Sequence, residues 1–132
     1  MKREMLFAAA ALASLAGCAR EDGLATRQDA DRWALEQARP MGEAENCVVL
    51  RNVRRTVTLD DRTIDFHVTG RRVLRNRLPD ACPGLAFDDG FSYRTSLDRL
   101  CSGDLITVRR SAGPPGPTCG LGRFQPVEIA RR

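Results

Sequence analysis

Lysine and histidine are nearly absent from this sequence of 132 residues. Lys2 is the only lysine and His67 the only histidine, so arginine supplies almost all of the positive charge. Any serine–histidine or cysteine–histidine catalytic site would therefore have to use His67. A Gly-x-Ser-x-Gly motif is also missing. The sequence shows no catalytic constellation, and we expect a protein that is not an enzyme, with His67 facing solvent on a strand.

The sequence lacks the residue patterns of metal-binding and nucleic-acid-binding sites. No two cysteines have Cys-x-x-Cys spacing, and His67 lies 15 residues from the nearest cysteine, Cys82. Aromatic residues make up 5% of the chain, too few for the base-stacking surfaces of proteins that bind single-stranded nucleic acid. We therefore expect no metal, no cofactor and no nucleic-acid partner.

The amino terminus has the pattern of an export signal. A short basic start, Met1-Lys2-Arg3, precedes an apolar run at residues 6–15 that only Ser14 interrupts. The run is ten residues long, about half of what a membrane-spanning helix requires. A basic start and a short apolar run that ends in small residues are typical of a secretory signal peptide.

Residues 15–18 read Leu-Ala-Gly-Cys, and all four positions resemble the lipobox of bacterial prolipoproteins. The resemblance implies that residues 1–17 are removed, that the Cys18 thiol receives a diacylglyceryl group, and that the new amino terminus is acylated with a chain such as palmitate. Two or three acyl chains anchor a protein durably to a membrane. In lipoproteins, aspartate directly after the lipidated cysteine favours retention in the inner membrane, so the resemblance implies that Ala19 favours the outer membrane. The alternative is ordinary cleavage that leaves Cys18 free or paired.

Four further cysteines remain, and an even number in a small exported domain indicates disulfides. They are Cys47, Cys82, Cys101 and Cys119. Four cysteines allow three pairings, and the sequence alone does not choose among them. We favour Cys47–Cys119 with Cys82–Cys101, because the first bridge would tie the start of the domain to its last strand. The second would join the loops that flank one strand.

Composition divides the chain into a signal peptide (1–17), a lipidated tether (18–46) and a disulfide-bonded domain (47–132). Residues 19–46 carry four arginines against seven acidic residues, a net charge of −3. Residues 47–132 carry fifteen arginines against nine acidic residues, a net charge of +6. The tether is therefore acidic and the domain basic.

A short helix is predicted within the tether at about 27–39. Thr26 and Asp29 have the spacing of a capping box, with aspartate in place of glutamate. Ala30 and Trp33 fall near one helical face, and Pro40 ends the pattern. Trp33 is its largest apolar side chain and its expected anchor. The helix either docks on the domain or meets the membrane surface.

The domain shows the two-residue alternation of β-strands. The clearest example is residues 63–68, where Ile64, Phe66 and Val68 share one face. Five or six such segments follow one another at roughly ten-residue spacing, separated by turn residues. We predict an all-β fold, a small antiparallel barrel or sandwich of OB-like or SH3-like character. Pro126 is expected to place the last strand, residues 120–129, at a sheet edge.

Three motifs of the domain resemble those of a family of small exported proteins of Gram-negative bacteria. They are Asn-x-Leu-Pro-x-x-Cys-x-x-Leu from Asn76, Leu-Cys-x-Gly-Asp-x-Ile from Leu100, and Cys-x-Leu-Gly-x-Phe from Cys119. The resemblance covers most of residues 47–129. It implies the domain boundary and the cysteine framework, but the family has no assigned activity and supplies no catalytic residues.

Arginines crowd one predicted hairpin, at Arg71, Arg72, Arg75 and Arg77. On a strand, Arg71, Arg75 and Arg77 would share a face, and guanidinium groups bind phosphate and carboxylate in bidentate fashion. We consider these four residues a candidate anion-binding site for an envelope component. The alternative is that the arginines reflect composition and keep a sheet edge from aggregating.

Together these features predict a lipid-anchored cell-envelope protein with a non-enzymatic binding or structural role. The expected partners are the membrane, through Cys18, and an anionic envelope component or another envelope protein. The alternative function is a small envelope hydrolase or an enzyme inhibitor. Lysozyme-type targets are basic, however, and a domain of charge +6 would be repelled by them.

Overall fold

The computed structural model describes residues 22–88 and 90–129. The predicted signal peptide, the lipobox and Cys18 lie outside the described residues. These residues form two α-helices, α1 (Asp22–Gln37) and α2 (Leu85–Asp88), and two single-turn 3-10 helices (Leu50–Asn52 and Thr69–Arg71). The strands are β1 (Ala38–Pro40), β2 (Cys47–Val49), β3 (Val53–Asp60), β4 (Thr63–Val68), β5 (Arg72–Arg77), β6 (Phe91–Tyr93), β7 (Arg99–Cys101), β8 (Leu105–Val108), β9 (Thr118–Gly120) and β10 (Phe124–Ile129).

The strands form one large sheet and two small ones, and every strand pair is antiparallel. The large sheet has five strands in the order β1-β10-β5-β4-β3. The small sheets are β2-β7 and β6-β8-β9. The predicted all-β fold is confirmed in its sandwich form. In the described part of the chain the sheets do not close into a barrel.

One apolar core joins the large sheet to the small ones. Phe66 of β4 and Phe124 of β10 meet edge to face, with ring centroids 5.2 Å apart. Leu100 of β7 and Ile106 of β8 are fully buried in the same cluster. Edge-to-face packing suits the charge distribution of aromatic rings, and here it fixes β4 against β10 across the intervening strand β5.

Helix α1 covers the opposite face of the large sheet. It packs against β3, and the carbonyl oxygen of Ala34 accepts a hydrogen bond of 3.3 Å from Nη2 of Arg75 on β5. The second face of β4 is therefore buried as well, including Thr63 and Asp65. The predicted helix at 27–39 exists, begins earlier and docks on the sheet.

The predicted boundary between tether and domain, at residues 46 and 47, lies too late in the chain, because residues of the large sheet begin at Ala38. Ala38–Pro40 pairs with β10 at the edge of the large sheet. Farther on, Glu45 and Phe124 exchange backbone hydrogen bonds of 2.7 and 2.8 Å. The segment that the sequence assigns to the tether thus becomes part of the sheet, because two stretches of it pair with the last strand.

The prediction that the last strand lies at a sheet edge is wrong, because β10 lies between β1 and β5. The carbonyl oxygen of Pro126 accepts a hydrogen bond of 2.8 Å from the Met41 amide. The N and O of a strand residue point to the same side, so the missing N–H of Pro126 faces the point where β1 ends. A proline is tolerated there because the ladder has already stopped.

The predicted disulfide pairing is also wrong, although all four cysteines are bridged. The bridges are Cys47–Cys101 and Cys82–Cys119. Strand β7 explains the difference: its three residues, Arg-Leu-Cys, show no clear alternation in the sequence. Its pairing with β2 places Cys101 directly opposite Cys47.

None of the helices among the described residues is long and apolar enough to cross a membrane.

Candidate anion-binding site

The arginines predicted to bind anions do not form one free patch. Arg75 lies under α1 and is buried with Asp65. Its Nε donates to Oδ1 of Asp65 at 2.8 Å and its Nη2 to Oδ2 at 2.9 Å. Both carboxylate oxygens are therefore held in bidentate fashion. The prediction that Arg75 offers its guanidinium to an external anion is wrong, because an internal carboxylate occupies it.

The rest of the predicted patch has acidic surroundings. Arg72 pairs with Glu45 at 2.6 Å. Arg71 and Arg72 line a groove of about 510 Å³ that three glutamates also line: Glu43, Glu45 and Glu128. Arg77 is exposed at the other end of β5. The structure thus separates the four residues, and two of them sit where negative charge is at least as abundant.

A different set of arginines comes together near the aromatic strand β6. Arg54, Arg55 and Arg109 line a cavity of about 260 Å³ together with Phe91 and Tyr93. The amide of Arg109 donates to the carbonyl oxygen of Gly90 at 3.0 Å. A Cβ at Gly90 would lie 3.3 Å from Nη2 of Arg109, so the guanidinium packs over this glycine.

A larger cavity adjoins the first. It measures about 710 Å³ and is lined by Arg94, Arg109 and Arg110, with Tyr93 and Leu105. Tyr93 and Arg109 line both cavities. We call the combined surface the arginine cleft, defined by seven residues. These are Arg54, Arg55, Phe91, Tyr93, Arg94, Arg109 and Arg110.

The guanidinium groups of the arginine cleft have no partner among the side chains and backbone groups that the structure describes. Among the described residues, none of its five arginines forms a side-chain hydrogen bond or an ion pair. Asp104 is the one described acidic residue that lines either cavity. Its carboxylate already accepts a hydrogen bond of 2.7 Å from the amide of Cys101. The described lining is thus strongly positive.

The frame of the cleft comes from strand pairing. Phe91 and Tyr93 lie opposite Val108 and Ile106 of β8. The ring of Phe91 packs 6.2 Å from that of Phe66 in the core. On β3 the register shifts between Val53 and Arg55, and Arg54 and Arg55 are both exposed next to it. Irregularities of this kind re-aim side chains.

His67 lines neither cavity and lies on the same face of β4 as Asp65, the face that α1 covers. It is half-buried rather than solvent-facing, opposite Arg55 on β3. Burial lowers the pKa of His67 below its ordinary value, the positive charge of Arg55 lowers this pKa further, and Asp65 opposes both. The imidazole is therefore neutral near pH 7. No group of three His, Cys, Asp or Glu residues suited to a metal occurs in the described part of the chain.

The motifs that resemble the exported family have structural roles. The side chain of Asn76 is fully buried and bonds both backbone groups of Gly122: it donates to the carbonyl at 2.7 Å and accepts from the amide at 2.8 Å. A Cβ at Gly122 would overlap the carbonyl oxygen of Arg77. The apolar motif positions Leu78, Leu85, Leu100, Ile106, Leu121 and Phe124 belong to the core.

Comparisons of the chain with protein families, with curated proteins and with solved structures found no match. The resemblance to exported proteins of Gram-negative bacteria therefore rests on the three motifs and stays a prediction. The geometry of the arginine cleft carries the functional argument.

Proposed function

We propose that this chain is a lipid-anchored protein of the bacterial cell envelope that binds an anionic ligand through the arginine cleft. The anchor is Cys18, the outer membrane is the favoured location, and no reaction is catalysed. The observation that carries the binding role is the set of five arginines without an internal partner in the described structure. Keeping five cations together beside one carboxylate that already accepts a backbone hydrogen bond is unfavourable unless an anion joins them.

The chemistry of the ligand follows from the lining. Guanidinium groups hold phosphate or carboxylate oxygens through paired hydrogen bonds. Tyr93 and Leu105 add an aromatic and an apolar surface beside them. A cavity of about 710 Å³ accommodates a group larger than a lone ion. We therefore propose an organic phosphate or carboxylate, such as a lipid or lipopolysaccharide headgroup or a peptidoglycan peptide.

The envelope location is supported by covalent chemistry. Two disulfides join four cysteines of the domain, and such bridges persist in oxidising compartments. The signal-like amino terminus and the Leu-Ala-Gly-Cys sequence point to the same compartment.

The intact mass of the protein extracted from membranes tests the anchor. We expect the mass to lack residues 1–17, to include two or three acyl chains, and to rise by four hydrogens on reduction. Acylation requires Cys18, and the four hydrogens correspond to the two bridges. A mass without lipid would contradict the anchor, and a smaller gain on reduction would contradict the bridges.

Removing charge from the cleft should weaken anion binding. We expect the triple variant Arg54→Ser, Arg109→Ser, Arg110→Ser of the processed protein in detergent to bind at least about tenfold more weakly, since one charge-assisted hydrogen bond contributes about 1.5–3 kcal/mol. Calorimetry with inorganic pyrophosphate and with a muropeptide bearing free carboxylates distinguishes the two ligand sources. The loss should shrink as salt rises, because salt screens the cations.

A matched control separates the cleft from overall charge. The variant Arg51→Ser, Arg71→Ser, Arg77→Ser loses the same three charges at exposed positions outside the two cavities. It should bind within about twofold of the unchanged protein, as expected for screened charges at a distance. Equal losses in both variants would mean that net charge, and not the cleft, attracts the anion.

A further inference from the structure

Phe87 is the most exposed large apolar residue of the described structure, at 91% of its surface. It lies on α2, a single helical turn that is fixed to the domain by hydrogen bonds to Asp61 and by the buried side chain of Leu85. The amide of Ala86 donates to Oδ1 of Asp61 at 3.0 Å, and the amide of Cys82 donates to the carbonyl oxygen of Asp61 at 2.7 Å. Leu85 is fully buried in the core. Phe87 is thus presented outward by a fixed support.

Helix α1 lies on one side of this phenylalanine. Phe87 lines a cavity of about 980 Å³ together with Arg27, Arg32 and Leu35 of α1. On its other side Phe87 lines a cavity of about 460 Å³ with Pro83 and Arg110. We call this surface the Phe87 face, defined by Phe87 and the residues of these two cavities. Arg27 lies within the first two turns of α1, so the start of the helix is close to the Phe87 face.

The length of chain before α1 limits where a lipid anchor can lie. Three residues lie between Cys18 and Asp22, the first residue of α1, so the two α-carbons are four residue steps apart. Fully extended, four such steps span at most about 14 Å. A bilayer that holds acyl chains on Cys18 must therefore lie close to the start of α1, and so close to the Phe87 face.

We propose that the Phe87 face rests on the lipid bilayer, with the ring of Phe87 in the interfacial region as a second membrane contact beside the acyl chains. This rests on the lipid anchor of the proposed function. The contact needs little intrinsic affinity, because the anchor already holds the domain at a high effective concentration over the membrane.

The contact is apolar rather than electrostatic. Among described residues, four arginines that line the two cavities are balanced by four aspartates. The arginines are Arg27, Arg32, Arg62 and Arg110, and the aspartates are Asp31, Asp60, Asp61 and Asp88. A balanced surface gains little from anionic lipid. The Phe87 face therefore contacts a zwitterionic bilayer, and salt does not release it, in contrast to binding in the arginine cleft.

Tryptophan placed at the contact reports it directly. The full processed protein is reconstituted into phosphatidylcholine vesicles with or without brominated acyl chains, as the parent, as Phe87→Trp and as Leu97→Trp. Leu97 is 62% exposed and lines neither cavity. Both substituted side chains are exposed, so neither change alters the core. The emission of Trp33 is common to all three proteins and is subtracted through the parent.

We expect the added emission of Phe87→Trp to shift to shorter wavelength and to be quenched by brominated lipid, unchanged by salt, whereas that of Leu97→Trp stays unquenched. Absence of quenching in Phe87→Trp, or equal quenching in both variants, would overturn the contact. The intact mass of the same sample separates the two proposals. Acyl chains without quenching refute the contact alone, and a missing acyl chain refutes the anchor and the contact with it.

Discussion

Replacing Asp65 with alanine should lower the free energy of unfolding by about 3–5 kcal/mol, the usual cost of leaving one partner of a buried ion pair alone. Asp65 is 1% exposed and Arg75 is 6% exposed. Without the carboxylate, the guanidinium of Arg75 keeps only the 3.3 Å hydrogen bond to the Ala34 carbonyl oxygen between the sheet and α1. Urea unfolding followed by Trp33 fluorescence and by circular dichroism measures the loss.

Two controls test whether the loss of stability in Asp65→Ala arises because the ion pair is buried. Asp98→Ala removes an exposed carboxylate that pairs with Arg99 at 3.4 Å, and exposed pairs contribute about 0–1 kcal/mol. The double change Asp65→Leu, Arg75→Met replaces the buried pair with apolar groups and should recover most of the loss. A cost for Asp65→Ala as small as that for Asp98→Ala would mean that water reaches the pair.

Removing the Cys82–Cys119 bridge is the second change with a large expected effect. The double variant Cys82→Ala, Cys119→Ala should lose about 2–5 kcal/mol of stability, because a bridge restricts the unfolded chain. Cys82 is fully buried. Its bridge joins the loop between β5 and α2 to β9 of the three-stranded sheet. The support of Phe87 should loosen too, and hydrogen exchange of the α2 amides measures this.

The other bridge provides the matched comparison. Cys47–Cys101 joins residues that already face each other on paired strands. Cys47→Ala, Cys101→Ala should therefore reduce global stability in the same range without faster exchange in α2. Faster exchange there in both variants would show that α2 depends on the stability of the whole domain. Peptide mapping without reduction checks the pairing itself.

The sequence predicts those strands whose side chains alternate clearly between the core and the other face of the sheet. The alternation of Ile64, Phe66 and Val68 is strong because these side chains face the core from a central strand. Strand β7 went unrecognised because only Leu100 of its three residues is buried. The wrong disulfide pairing followed from that omission. Pro126 suggests an edge strand in the sequence, but β10 is internal. Its missing N–H is harmless because the neighbouring strand β1 ends at Pro40, and the sequence does not show where that strand ends.

The candidate site was harder to predict than the fold. Density of arginine along the chain pointed to residues 71–77, but the hairpin register places Arg75 opposite Asp65. That register was within reach of sequence reasoning, since alternation and the turn at Gly70 fix it. The arginine cleft gathers two Arg-Arg pairs, at 54–55 and 109–110, from distant parts of the chain. They meet because residues of β3, of β6 and of the segment after β8 line one cavity in the folded chain.

The two bridges cross along the chain, and this order has a consequence for synthesis. Cys47 pairs with Cys101 while Cys82, which lies between them, pairs with Cys119. A chain delivered amino terminus first exposes Cys47 and Cys82 together before either native partner has emerged. An oxidant that acts at once joins these two thiols wrongly, and only thiol–disulfide exchange can then correct the pair. A chain that matures in this way therefore needs each cysteine to stay reduced until its partner has emerged, at Cys101 for Cys47 and at Cys119 for Cys82, or an isomerase that acts afterwards.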